Sequence, residues 1–260
     1  MLRSTLLASV AVTPLLLTSA AAQDAFELGE IIVSGSLSPV SAGQTGATVE
    51  VLDAEDLSNA DTSVIQSLDR LPGVNSTANG GLGTNASVQV RGLPARYVVV
   101  RINGIDMNDP SGTQNAFNFG ALTPSGIDRI EVLKGSQSAL YGSEAIAGVI
   151  DITTYKPIKD GFSGRVSSEV GSFGTTSGTL SLGYLNDRAE VAFTYGRIVS
   201  DGFSARANDP EEDSFRQTTM TFTGSYEMTE NFTVGVAVNS RDGALEIDRS
   251  TSDNTGQNFF

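Results

Sequence analysis

After Pro157 the residues alternate between apolar and small polar side chains, and no other feature of the chain restricts its fold so tightly. Leu180, Leu182 and Tyr184 alternate with Thr179, Ser181 and Gly183, and Val191, Phe193 and Tyr195 with Ala192, Thr194 and Gly196. Met220, Phe222, Tyr226 and Met228 alternate with Thr219, Thr221, Thr223, Ser225 and Glu227. Phe232, Val234, Val236 and Val238 alternate with Thr233, Gly235, Ala237 and Asn239. A weaker strand is expected near residues 164–170. Successive side chains of a strand point to opposite faces, so each segment has one apolar and one small polar face.

Periodicity of this kind fits a soluble sandwich and a transmembrane barrel equally. The turns favour the barrel. Asn186-Asp187 and Thr229-Glu230-Asn231 are tight, whereas residues 199–214 form a long charged loop, although the turn near 173–176 is also short. After residue 22 no apolar run approaches the roughly 20 residues of a spanning helix, so membrane insertion requires strands. Five strands cannot close a barrel that needs roughly eight or more, so the chain is expected to be an incomplete portion.

The first 22 residues read as a cleaved export signal, with Arg3, an apolar stretch from Leu6 to Leu17 and the small residues Ala20-Ala21-Ala22. Residues 23–47 form a linker carrying one apolar island, Glu30-Ile31-Ile32-Val33-Ser34-Gly35. Residues 48–155 mix short strands and helices, and residues 161–260 hold the alternating segments. In the mixed region Val49-Glu50-Val51-Leu52 is a strand, followed by Asp53 as a helix cap. Val64, Ile65, Leu68 and Leu71 share a helix face that Pro72-Gly73 ends. Strands are expected at 88–90, 97–102, 127–133 and 148–153, with a turn at Asn103-Gly104 and a helical or tightly turned stretch at 139–147.

The chain contains no His and no Cys, which removes Ser-His-Asp catalysis, thiol nucleophiles, the usual zinc sites and the usual haem ligands. A net charge of -14 argues against nucleic-acid partners. The glycines at Gly80, Gly81 and Gly83 lack the spacing and following Lys of a phosphate loop. No catalytic residues and no enzymatic activity are expected.

Several motifs in order resemble the TonB-dependent outer-membrane receptor family. They are Val88-Gln89-Val90-Arg91-Gly92, Val98-Val99-Val100-Arg101-Ile102-Asn103-Gly104, and the run from Ile127-Asp128-Arg129-Ile130-Glu131-Val132-Leu133-Lys134-Gly135 to Tyr141-Gly142-Ser143. Ala145-Ile146-Ala147-Gly148-Val149-Ile150-Asp151-Ile152-Thr153 continues it. The family commonly has Arg, Pro, Gly and Asn where Lys134, Ser136, Ala147 and Asp151 stand.

The resemblance implies an α+β plug domain over 48–155, followed by the first strands of an antiparallel transmembrane β-barrel of about 22 strands in the bacterial outer membrane. It implies energised uptake of a scarce bulky nutrient, cobalamin or a related metal chelate. A ferric siderophore is the alternative substrate, and a passive porin-like barrel the alternative class. Glu30, Ile31, Ile32, Val33, Ser34 and Gly35 look like the TonB box, the strand that pairs with TonB and its inner-membrane energising complex. Ligand contacts are expected at Asn79, Leu82, Thr84 and Asn85 in a loop over 75–87, and at Asn108, Asp109, Gln114 and Asn115 in a loop over 106–119. Arg91, Arg129 and Lys134 are expected to join plug to barrel. The likeness is greatest to the cobalamin-receptor branch, which implies calcium at Asp201, Asp209, Glu211, Glu212 and Asp213; no other cofactor is implied.

Overall fold

The computed structural model describes residues 31–32, 40–41, 47–58, 63–112, 114–204, 212–246 and 257–259. Near the start, β1 (Ile31–Ile32) pairs antiparallel with β2 (Val40–Ser41). The first long element, β3 (Thr48–Asp53), leads directly into α1 (Ala54–Ser58). The Asp53 carboxylate accepts from the Glu55 and Asp56 backbone N–H groups at 2.9 and 3.0 Å, so the expected cap is made. On α2 (Val64–Asp69), Val64, Ile65 and Leu68 are buried.

β4 (Val74–Ala78) and β5 (Ala86–Val90) form a separate hairpin. The loop expected from residue 75 therefore shrinks to 79–85. β6 (Val98–Ile102) turns through Asn103 and Gly104, at φ 50° and 83°, into β7 (Ile105–Asp106). Both central residues sit in the left-handed region, which is why Asn-Gly serves there. β8 (Ile127–Lys134), α3 (Ser138–Tyr141) and β9 (Gly148–Thr154) complete the first region. The helix is shorter than expected because Gly142, at φ 87°, ends it.

The central sheet has the order β3-β8-β9-β6-β7, with β6 and β9 parallel and the other neighbours antiparallel. One face packs Val98, Val100, Ile102, Ile130, Val132, Ile150 and Ile152 against α2 and the β4–β5 hairpin. The other packs Val99, Leu133 and Val149 with Ala145. Burial on both faces explains why Val98-Val99-Val100 is continuous and not alternating.

The second region is a single antiparallel wall in sequence order: β10 (Gly161–Val170), β11 (Thr176–Leu185), β12 (Ala189–Ser200), β13 (Phe215–Thr229), β14 (Phe232–Leu245) and β15 (Gln257–Phe259). The last strand, which pairs with 243–245, is additional to the five expected. Along β12, Ala192, Thr194, Ile198 and Ser200 are buried, while Val191, Phe193 and Val199 are exposed. Leu182, Phe193, Phe222 and Val238 lie side by side across four strands, all on the exposed face. The inner face is zipped by hydroxyls, as in the Ser181–Thr194 hydrogen bond of 2.9 Å. The alternation thus turns the apolar face away from the globule and the small polar face toward it. At Gly183 and Gly196 the small residue is a packing requirement, because a Cβ would meet Pro157 at 2.9 Å and Ser125 at 3.0 Å.

Candidate ligand site between the globule and the strand wall

Two loops of the globule are stapled to each other beside the wall. The Asn118 side-chain oxygen Oδ1 accepts from Ala86 N–H at 3.0 Å and Gly120 N–H at 2.9 Å, and Phe119 N–H donates to Ala86 O at 2.9 Å. Gly83 N–H donates to Gly120 O at 2.9 Å. A Cβ at Gly120 would run into the Thr84 carbonyl, so glycine is what permits this approach. Phe117 and Phe119 meet edge to face at 4.8 Å and anchor the longer loop in the core.

Between these loops and the wall residues Gln217, Arg241 and Gly243 lies a cleft of about 840 Å³. Asn85, Asp109, Gln114 and Asn115 line it, so four of the eight expected ligand residues converge. Gln114 accepts from Arg96 at 3.1 Å. Asp109 is held ionised, its carboxyl below the usual range, first by the Ser111 hydroxyl at 2.7 Å and then by the Ser111 N–H at 2.9 Å. Leu82 and Thr84 line a neighbouring cleft of about 530 Å³. There Leu82 packs against Ile198, Phe215 and Leu245, and the Thr84 hydroxyl donates to Gly81 O at 2.8 Å. Asn79 closes its own loop through Asn85 O at 3.0 Å and lines neither cleft.

Asn108 lines neither cleft and is bonded to backbone. Its amide nitrogen donates to Val98 O at 3.0 Å and Asn115 O at 3.1 Å, and its oxygen accepts from Val100 N–H at 2.9 Å. Both amide hydrogens are committed to backbone, so this residue holds the loop to β6.

Arg91, Arg129 and Lys134 each have a partner within the globule. Lys134 is 4 % exposed and is bound inside the globule, to Glu50 at 2.9 Å and Pro72 O at 2.6 Å. The reason is its place on β8 opposite Thr48, which aims it at β3's neighbourhood. Arg129 pairs with Glu131 at 2.9 Å, two residues along the same strand, and Arg91, at φ 52°, donates to Thr48 at 2.9 Å. Strand β10 of the wall is reached by Asp128, which accepts from Arg165 at 2.7 Å, and by Tyr155, bonded to Ser163 at 2.9 Å. Arg241 of β14 lies over the Phe117 ring at 5.3 Å. A signal for both arginines was in the sequence: they occupy inward-facing positions of otherwise small polar strand faces.

Residues 41–149 match the family model described as TonB-dependent Receptor Plug Domain. The chain belongs to the TonB-dependent receptor family. The globule is the plug, and β10–β15 are strands of an outer-membrane barrel wall. The chain is 36% identical over 174 residues to the vitamin B12 transporter BtuB of Photobacterium profundum, covering 64% of this chain and 27% of that protein. With BtuB of Vibrio vulnificus it shares 30% identity over 203 residues, 77% of this chain and 30% of that protein. It therefore spans about a third of the length of these relatives. The ferripyoverdine receptor of Pseudomonas aeruginosa superposes with a TM-score of 0.66 at 15% identity, covering 84% of this chain and 28% of that one. The ferric yersiniabactin receptor FyuA of Yersinia pestis gives 0.61 at 19%, over 79% and 33%. At such identities these two establish the fold alone.

Within the receptor, the plug sheet carries a charged row: Arg101, Asp151 and Glu131 are direct neighbours across β6, β9 and β8. Burial pushes the Asp151 carboxyl up to about 6 against the opposing pull of Arg101, 3.5 Å away. Of the box residues, Ile31 and Ile32 form β1, whereas Glu30, Val33, Ser34 and Gly35 lie outside the described residues. Of the expected calcium ligands, Asp209 and Glu211 lie outside them as well. Asp201, Glu212 and Asp213 are described, and among the described residues no three acidic side chains gather around a common point. No described helix is long and apolar enough to cross a membrane, which says nothing of strands.

Proposed function

We propose that the receptor to which this chain contributes imports a corrinoid, cobalamin or a close relative, through a barrel energised by TonB. The carrying observation is the cleft of about 840 Å³ at the plug–wall junction, which is lined by the amide side chains of Asn85, Gln114 and Asn115. Amides donate and accept at once, which suits a large ligand whose periphery is itself rich in amides. Relatives named as vitamin B12 transporters support the same reading.

The uptake step draws its energy from a partner, because the outer membrane has no nucleotide supply. Residues 30–35 are the proposed grip. Ile31 and Ile32 adopt extended backbone and pair with Val40–Ser41, a conformation that strand addition to TonB uses. Calcium at the loop of Asp201, Asp209, Glu211, Glu212 and Asp213 is proposed on carboxylate density alone. A calcium titration of ligand affinity tests it, and unchanged affinity removes it.

Uptake of labelled cyanocobalamin by cells carrying the full receptor tests the main reading. Deleting residues 30–35 is expected to abolish energised uptake and to leave surface binding intact. Unchanged uptake in the deletion removes the TonB assignment. Failure of the intact receptor to bind cyanocobalamin removes the substrate, and the same assay with ferric siderophores then scores the alternative.

A further inference from the structure

Arg241 stands apart from the other cations of the cleft. It projects from the inner face of β14, half-buried, with its guanidinium carbon 5.3 Å from the centre of the Phe117 ring. Arg96, which lines the same cleft, is spoken for by Gln114 at 3.1 Å and the Tyr97 ring at 4.8 Å. Among the described residues Arg241 has neither an ion-pair partner nor a hydrogen-bond acceptor. Asp109, the acid of that cleft, is committed to Ser111 at 2.7 and 2.9 Å. Asp242 follows on the strand and is exposed, on the opposite face. Thr219, directly across the ladder from Arg241, already accepts from the Gln217 amide at 3.1 Å. Gln217 itself is 4 % exposed, and its carbonyl oxygen has no partner among the described residues.

A guanidinium stacked on a ring keeps all its N–H donors at its edge, fixed in a plane. Withdrawing that cation from water with no counter-charge is costly, and the aromatic face returns only part of the cost. Both Gln217 and Arg241 line the large cleft.

We propose that Arg241 is a specificity-determining residue that reads an oxyanion, a phosphodiester or carboxylate carried on the bound chelate. The proposal rests on the ligand cleft of the preceding section. Phe117 serves as the platform holding the donor edge in place. Because Phe117 belongs to the plug and Arg241 to the wall, the anion is bound where the two meet.

The test uses purified full-length receptor in detergent with two probes, cyanocobalamin and dicyanocobinamide, which lacks the phosphodiester. Arg241→Gln is expected to weaken cyanocobalamin by about 10- to 100-fold, the worth of one or two charge-assisted hydrogen bonds, and to leave dicyanocobinamide unchanged. Arg241→Lys keeps the charge without the planar fork and is expected to fall between. Equal weakening of both probes, or of neither, overturns the proposal. If wild type binds neither corrinoid, the substrate reading of the preceding section has failed, and ferric citrate supplies the carboxylates. Arg241→Gln weakening that probe supports the oxyanion role; no change, or no binding by wild type of any probe, overturns it.

Discussion

Replacing Asn108 with alanine separates two roles that the amino acid can serve. The change removes three side-chain hydrogen bonds: to Val98 O, to Asn115 O and from Val100 N–H. At about 1 kcal/mol net for each bond the loop over 107–119 loses about 3 kcal/mol of its attachment to β6. The Val100 amide, on a residue 1 % exposed, is left without its acceptor, which adds to the cost. Local opening then becomes about 100-fold more populated, and exchange of the Val100 amide speeds up by the same factor. Hydrogen exchange by mass spectrometry on the full receptor, followed on peptides covering 98–108, reads this directly without ligand present. Affinity for cyanocobalamin falls with it, because Asp109, Gln114 and Asn115 are no longer held at the cleft. A residue that merely touched ligand would lower affinity and leave ligand-free exchange untouched. Wild-type exchange at Val100 in Asn108→Ala refutes the architectural role.

Three further outcomes follow from other parts of the structure. Gly120→Ala pushes a methyl into the Thr84 carbonyl and is expected to reduce the folded receptor in outer-membrane fractions, whereas alanine at Gly92, where a Cβ meets nothing within 4 Å, is expected to cost about 1 kcal/mol from its positive φ. Asp151 has a folded pKa raised to about 6, above its ordinary 3.8, so the folded plug binds its proton more tightly than the unfolded chain. Stability from this group is therefore greatest below about pH 4 and falls by about 2–3 kcal/mol as pH rises to 6, and Asp151→Asn is expected to flatten that part of the melting profile. Phe222→Arg places a cation on the outward row and is expected to cost about 2–4 kcal/mol of barrel stability in bilayer refolding, while the same change at exposed Glu230 in the turn is expected to be neutral.

Much of the architecture was written in local chemistry. A strand's side chains must alternate faces, so the parity of Val191 and Phe193 against Ala192 and Thr194 was readable before any fold was known. Asp53 caps the residues immediately after it, and Asn103-Gly104 turns the chain by its own dihedral angles. The hairpin of β4 was missed because Val74-Asn75-Ser76-Thr77-Ala78 has little apolar content; its pairing to β5 and the buried Val74 secure it. The convergence of Asn85, Asp109, Gln114 and Asn115 was foreseen as two loops, but not their stapling through Asn118.

What the chain alone determined was periodicity: which faces are apolar, where turns fall, and which chemistries are absent for want of His and Cys. Tertiary structure decided how each polar side chain is spent. Asn108 and Asn118 carry the same amide as Asn85 and Asn115, and only the approach of β6 and Ala86 commits them to backbone. Lys134 is drawn inward because Glu50 and Pro72 O lie within reach, and Arg241 meets Phe117 across more than a hundred residues of sequence. Periodicity is set by the geometry of adjacent peptides, whereas a hydrogen-bonding group takes whichever partner folding brings to it, and that partner is nonlocal.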